Sequence, residues 1–226
     1  ETCFHNEIEH GFFLEKRWNE RIVTEILEHL KDSKIFKVKE DAGEDSIQVV
    51  NALTELLPPP SPEWMEWLAS IIDAMSSHPI DKVVTTEGPG VYLASLVASR
   101  RGKSLAVASR KQFPETEETE FTAGFFEHGD RTHYIYGVYT NERVLLVENN
   151  ISTGKALASM LESLQGLDVK LKEVICLIGR PDHEGKEVIK QETGVNVKTL
   201  FDLSVKEGRI DVGISPEMSD YFQSLI

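Results

Sequence analysis

The sequence predicts an α/β protein, a parallel sheet flanked by helices with an N-terminal helical extension, and three features carry that reading. Short apolar runs rich in β-formers recur at 80–86, 104–109, 143–147, 174–179 and 195–203. Helical patterns fall between them, the alternation a parallel sheet requires. A compositional break near residue 80, just after a helical stretch, divides an extension (1–80) from an α/β core (81–226).

The extension reads as helix. Leu14, Trp18, Ile22, Ile26 and Leu30 recur at every fourth position, with Val23 and Leu27 beside them. Ser46 is placed to cap a second helix that turns Ile47, Val50, Leu53, Leu56 and Leu57 inward. Pro58, Pro59 and Pro60 then break the chain. Ser61 caps a third helix, with Pro62 at its first position and Trp64, Trp67, Leu68, Ile71, Ile72 and Met75 on one face. Aromatics at that spacing are core residues by default.

The core opens with a strand over 80–86 and a sharp turn at Glu87, Gly88, Pro89 and Gly90. An apolar helix over 91–101 ends at Gly102, and a second strand closes on Arg110 and Lys111. Strand, glycine turn, helix and strand make a right-handed βαβ unit. Residues 112–130 follow as a long loop with an acidic tip at Glu115, Glu117, Glu118 and Glu120 and no Lys or Arg between Gln112 and Asp130.

The most informative stretch is 143–157. Arg143 and four apolar residues lead into Glu148, Asn149 and Asn150, then Ile151, Ser152, Thr153, Gly154, Lys155 and Ala156, where a helical pattern begins. Amide groups at such a helix start favour a phosphate. Gly154 admits close approach, and Glu148, an acceptor when ionised, suits sugar hydroxyls. An ordinary Ser/Thr-capped junction is the plainer alternative. Further on, a strand over 174–179 ends in Arg180, whose planar fork suits a carboxylate; a surface arginine at a strand end is the alternative there.

These motifs resemble the type I phosphoribosyltransferases, most closely the orotate branch, over roughly residues 81–210. The resemblance implies that Glu148 and Asn149 take the two acidic positions, Asn149 departing from the usual carboxylate. It implies that Asn150, Ile151, Ser152, Thr153, Gly154, Lys155 and Ala156 bind the ribose and 5-phosphate of phosphoribosyl pyrophosphate (PRPP). Thr86, Glu87, Gly88, Pro89, Gly90, Arg110 and Lys111 then hold the pyrophosphate, Lys111 also counting among the catalytic residues with Glu148 and Asn149. Arg180 pairs with the carboxylate of the base. The extension supplies a hood or a dimer surface, the 112–130 segment a mobile closing loop with His128 and Gly129 at the family's His-Gly place, and Mg²⁺ arrives with PRPP. The implied activity is phosphoribosyl transfer to orotate or a similar base by a homodimer. A homologue that binds PRPP or a nucleotide as a sensor, without turnover, is the other class.

Composition agrees. A chain of 226 residues, 40% hydrophobic and 27% charged, can bury a real core. A net charge of −14 argues against a nucleic-acid partner, and residues 1–80 carry 7 Lys+Arg against 16 Asp+Glu. No apolar run approaches the roughly 20 residues of a membrane helix. The first residues lack the basic-then-apolar order of a signal peptide, so a cytoplasmic location is expected. Cys3 and Cys176 make no disulfide framework, and the seven histidines show no zinc-ligand spacing.

Overall fold

The computed structural model describes residues 16–39, 45–113, 124–128 and 131–225. Helix α1 (Lys16–Lys31) is followed by strands β1 (Lys34–Lys39) and β2 (Asp45–Val50) and by helix α2 (Pro62–Met75). Here the fold departs from the expected helix capped by Ser46. β1 and β2 form an antiparallel hairpin pairing Ile35 with Val49 and Lys37 with Ile47. The residues in β2 are half β-branched, and a partner strand is at hand, so pairing overrides an apolar spacing that also fits a helix turn. α2 starts as expected: Ser61 Oγ accepts from Trp64 N and Pro62 occupies the first turn.

The core continues with β3 (Lys82–Thr86), α3 (Gly90–Arg101), β4 (Ser104–Ala108), β5 (Gly124–His128), β6 (Arg131–Ile135) and β7 (Arg143–Ile151). Then come α4 (Lys155–Gly166), β8 (Lys170–Gly179), a 3₁₀ turn (Pro181–His183), α5 (Gly185–Thr193), β9 (Val197–Lys206), β10 (Arg209–Ile214) and α6 (Pro216–Ser224). Six strands form one sheet in the order β10-β9-β8-β7-β3-β4, parallel throughout except for β10 against β9. β5 and β6 pair separately, so the segment expected as one long loop contains a strand. Its expected acidic tip at Glu115, Glu117, Glu118 and Glu120, like Gly129, lies outside the described residues. No helix among the described residues is long and apolar enough to cross a membrane.

Both faces of the sheet are covered, which explains the continuous apolar runs. Leu145, Val147, Ile175 and Leu177 point to one face, where they join Ile22, Ile26, Trp67, Leu68, Leu93 and Val97 from α1, α2 and α3. Val144, Leu146, Val174 and Cys176 point to the other, with Ala158, Leu161 and Ile189 from α4 and α5. The two sets alternate along β7 and β8, as the period of two dictates. Burial also pushes the Cys176 thiol well up, with neighbouring Glu148 adding to the effect, so this cysteine is an inert core residue.

β7 runs further than its apolar run suggests. Glu148 pairs with Cys176, Asn150 with Ile178 and Ile151 with Gly179, so the polar triplet belongs to the strand and the loop begins at Ser152. The carboxyl ends of β3, β7 and β8 thus meet at one rim of the sheet, where ligands bind in open α/β folds.

Candidate active site

A cavity of about 330 Å³ opens at that rim. One wall is the end of β7 with Glu148, Asn149, Asn150 and Ile151. Its floor is Ser152, Thr153 and Gly154 with Ala156 and Leu157 of α4. Thr86 and Pro89 close another side, and the N-terminal segment contributes Thr54 and Glu55. Residues 54 and 55 carry no local motif; only the tertiary fold brings them here.

Glu148 is buried and bonded. Its Oε1 accepts from Thr86 N at 2.6 Å and lies 3.4 Å from Thr85 Oγ1. Burial raises its pKa above the ordinary carboxylate range, and the hydrogen bonds from Thr86 and Thr85 only partly oppose it. Gly90 makes room for this carboxylate, because a Cβ there would sit 3.3 Å from Glu148 Oε2 and 3.4 Å from Asn149 N.

The floor is held by two glycines in contact. Gly154 has φ 77, a left-handed conformation, and caps α4 with no side-chain hydrogen bond. The first turn of α4 thus starts without a side-chain cap on its amides. A Cβ on Gly154 would overlap the Gly185 carbonyl oxygen, and one on Gly185 would overlap the Ser152 carbonyl oxygen and stand 2.9 Å from Gly154 N. Gly185 therefore sets the position of the floor from the neighbouring loop, a role that sequence motif alone does not reveal.

The turn after β3 is tied to β4: Glu87 N donates to Ala108 O at 2.7 Å, and Arg110 Nε donates to Glu87 Oε1 at 2.6 Å. The Arg110 hydrogen bond holds the Glu87 carboxyl below its usual range. Gly88 has φ 127 with open space around it. Lys111 lies over the Phe113 ring, 4.7 Å from its centroid. Lys155 opens α4 as an exposed residue outside the cavity lining, as are Arg110 and Lys111. The structure thus gathers Thr86, Pro89, Glu148, Asn149, Asn150, Ile151, Ser152, Thr153, Gly154 and Ala156 around one space, with Glu87, Gly88, Gly90 and Arg110 beside it, while Lys111 meets Phe113.

Arg180 is engaged within its own chain. Its Nε and Nη2 donate to both carboxylate oxygens of Asp182 at 3.0 and 2.8 Å, and Nη2 also meets His183 Nε2 at 3.0 Å. The chain bends into the 3₁₀ turn immediately after Arg180, which brings Asp182 back onto the guanidinium. The Nε–Nη2 edge of the fork expected to meet a base carboxylate is turned to Asp182. Arg180 lines a second cavity of about 250 Å³, with Ile151, Gly185, Lys186, Asp202 and Glu217. There Lys186 Nζ holds Glu217 at 2.9 Å, and burial raises the Asp202 carboxyl. Among the described residues, no group of three or more His, Cys, Asp or Glu is placed to hold a metal ion.

A hypoxanthine/guanine phosphoribosyltransferase from Methanothermobacter thermautotrophicus is 29% identical to this chain over 193 residues, 84% of this chain and 95% of the relative. The crystal structure of an adenine phosphoribosyltransferase from Thermoanaerobacter pseudethanolicus superposes with a TM-score of 0.59 at 13% identity, covering 79% of this chain and 99% of that one. A UMP synthase from Leishmania donovani does so with a TM-score of 0.54 at 14% identity, over 77% of this chain and 35% of its own. No family model matches the chain. The α/β fold is that of the type I phosphoribosyltransferases, and the likenesses support that family without favouring its orotate branch.

Proposed function

We propose that this chain is a PRPP-dependent phosphoribosyltransferase that transfers the ribose phosphate to a purine base and releases pyrophosphate. One observation carries the reading: a single cavity joins a buried carboxylate, Glu148, to an uncapped helix start whose floor two touching glycines fix. The relatives named hypoxanthine/guanine phosphoribosyltransferase support the purine class. The chemistry of the walls supports it too. Glu55 is an acceptor, which suits the N–H groups of an oxopurine and repels a carboxylate-bearing base. The Nε–Nη2 edge of Arg180, turned to Asp182, would have to leave that carboxylate before it could receive one from orotate.

In this mechanism a ring nitrogen of the base attacks C1 of the ribose as pyrophosphate departs and the sugar becomes cation-like. Positioning and electrostatics provide the catalysis. The amides of Ser152, Thr153, Gly154, Lys155 and Ala156 hold the 5-phosphate. Glu148 accepts from the ribose hydroxyls, and its negative charge, poorly solvated where it sits, stabilises the developing sugar cation. Thr86, Glu87, Gly88, Pro89 and Gly90, with Arg110 and Lys111, receive the pyrophosphate once Arg110 exchanges Glu87 for the ligand. With no cluster of protein ligands among the described residues, Mg²⁺ would be held mainly by PRPP oxygens and would neutralise their charge. A homodimer is the assembly the family resemblance implies, which sedimentation reads directly.

Calorimetric titration with PRPP and Mg²⁺ tests the cradle, and pyrophosphate release with guanine, hypoxanthine, adenine and orotate tests the base. Release with an oxopurine but not orotate is the expected result. PRPP binding with no release for any base would replace the enzyme by a sensor, and release with orotate alone would overturn the purine assignment.

A further inference from the structure

We propose that Asn149 is a positioning residue whose side-chain amide clasps the turn of residues 51–55 over the active-site cavity, a task the isosteric aspartate cannot perform.

Asn149 Nδ2 donates to Thr54 O at 2.9 Å, joining residues 95 apart in sequence. A backbone carbonyl only accepts, and an ionised carboxylate only accepts. Aspartate at 149 would set two acceptors against each other, whereas the amide supplies the needed hydrogen. It also adds no second negative charge beside buried Glu148.

The clasped turn is prepared for this bond. Asn51 Oδ1 accepts from Leu53 N at 2.8 Å and Thr54 N at 2.9 Å, and Asn51 Nδ2 donates to Ser33 Oγ at 3.1 Å. Thr54 Oγ1 donates to Val49 O at 2.9 Å, and Ala52 N donates to His29 Nε2 at 3.1 Å. The turn is thereby fixed to β2 and α1, and its Thr54 carbonyl is left to meet β7. Immediately beyond, Leu56 has φ 57, a left-handed conformation that a leucine holds only where its surroundings enforce it. Thr54 and Glu55 are the cavity-lining residues this segment supplies, and Glu55 is steadied by Gln48 Nε2 at 3.1 Å. Releasing the clasp therefore moves the wall that carries Glu55, while the phosphate floor beyond Ser152 keeps its own supports.

The test compares wild type with Asn149→Asp and Asn149→Ala by hydrogen exchange and by steady-state kinetics; only the kinetic arm rests on the transferase reading. Both variants are expected to speed amide exchange at residues 53–57 on the order of fivefold relative to β3, the loss of one modest hydrogen bond. Both raise KM for the base more than KM for PRPP. In Asn149→Asp the exchange excess, corrected for intrinsic rate, shrinks as pH falls through the aspartate pKa, because the protonated acid donates again. Unchanged exchange at 53–57 in both variants would overturn the clasp, and so would higher kcat in Asn149→Asp, which would make the position a ribose carboxylate site. Faster exchange in protein that binds no PRPP would keep the clasp and defeat the transferase instead.

Discussion

Replacing Gly185 with alanine isolates the floor of the cavity, since Gly185 belongs to a different loop from the residues proposed to touch phosphate. The new Cβ would overlap the Ser152 carbonyl oxygen and approach Ile151 Cγ2 at 2.8 Å and Gly154 N at 2.9 Å. Ordinary contact begins near 3.4 Å, so Gly154 N must retreat at least 0.5 Å (3.4 − 2.9) and the Ser152 carbonyl further. Gly185 has no left-handed φ, so alanine suits its own backbone, and at the first residue of α5 it gains up to about 1 kcal/mol of helix propensity. That gain offsets only part of an overpacking cost of about 1–3 kcal/mol. Stability therefore falls by up to about 2 kcal/mol, while amides displaced by half an ångström or more lose phosphate contacts worth about 1.5–3 kcal/mol each. PRPP affinity should fall about 10- to 100-fold. Calorimetric titration measures this, with scanning calorimetry for stability and Gly166→Ala, which meets open space, as the neutral control. Wild-type PRPP affinity in folded Gly185→Ala would refute the reasoning that glycine contact positions the cradle.

Two further outcomes follow from the same geometry. The Glu148 pKa is raised above its ordinary 4.5 by burial, so between that value and the raised one the folded chain holds more protons than the unfolded, and stability falls as pH rises through that window. Glu148→Gln, which keeps an acceptor for Thr86 N, should match wild type below the window, exceed it in stability above, and bind PRPP more weakly. Parallel urea-unfolding curves across pH for the two proteins would contradict this. Asp182→Ala leaves the buried Arg180 guanidinium without its carboxylate partner and Val205 N without its acceptor, and should cost about 3 kcal/mol in urea unfolding; a loss under about 1 kcal/mol would show the pair to be dispensable.

How much of this was legible in the sequence depended on how local each cause is. The turn at Gly88 and Gly90 and the loop at Ser152, Thr153 and Gly154 were readable because a strand, a glycine and a helix start follow one another within a few residues. The hairpin was not. Ile47, Val50 and Leu53 sit at helical spacing, and only the pairing of β2 with β1 decides the matter. Arg180 follows the end of β8 where the sequence puts it, but its partner Asp182 depends on a bend that no periodicity announces. Thr54, Glu55 and Gly185 join the site through contacts between distant segments, and their residue types alone point to nothing.

The core that joins α1 and α2 to β7 and β8 has a consequence for recombination. Ile26, Leu53 and Trp67 share one apolar cluster with Leu145 and Leu177. Exchanging the first 80 residues for those of a relative would replace the acceptor wall and, in the same cut, the helical side of the core that packs under β7 and β8. Chimeras crossed at that boundary should lose solubility before they gain a new specificity. Grafting the short 51–55 turn alone, with residue 149 matched to it, leaves that cluster whole apart from Leu53 and so offers the narrower route to changing which base is accepted.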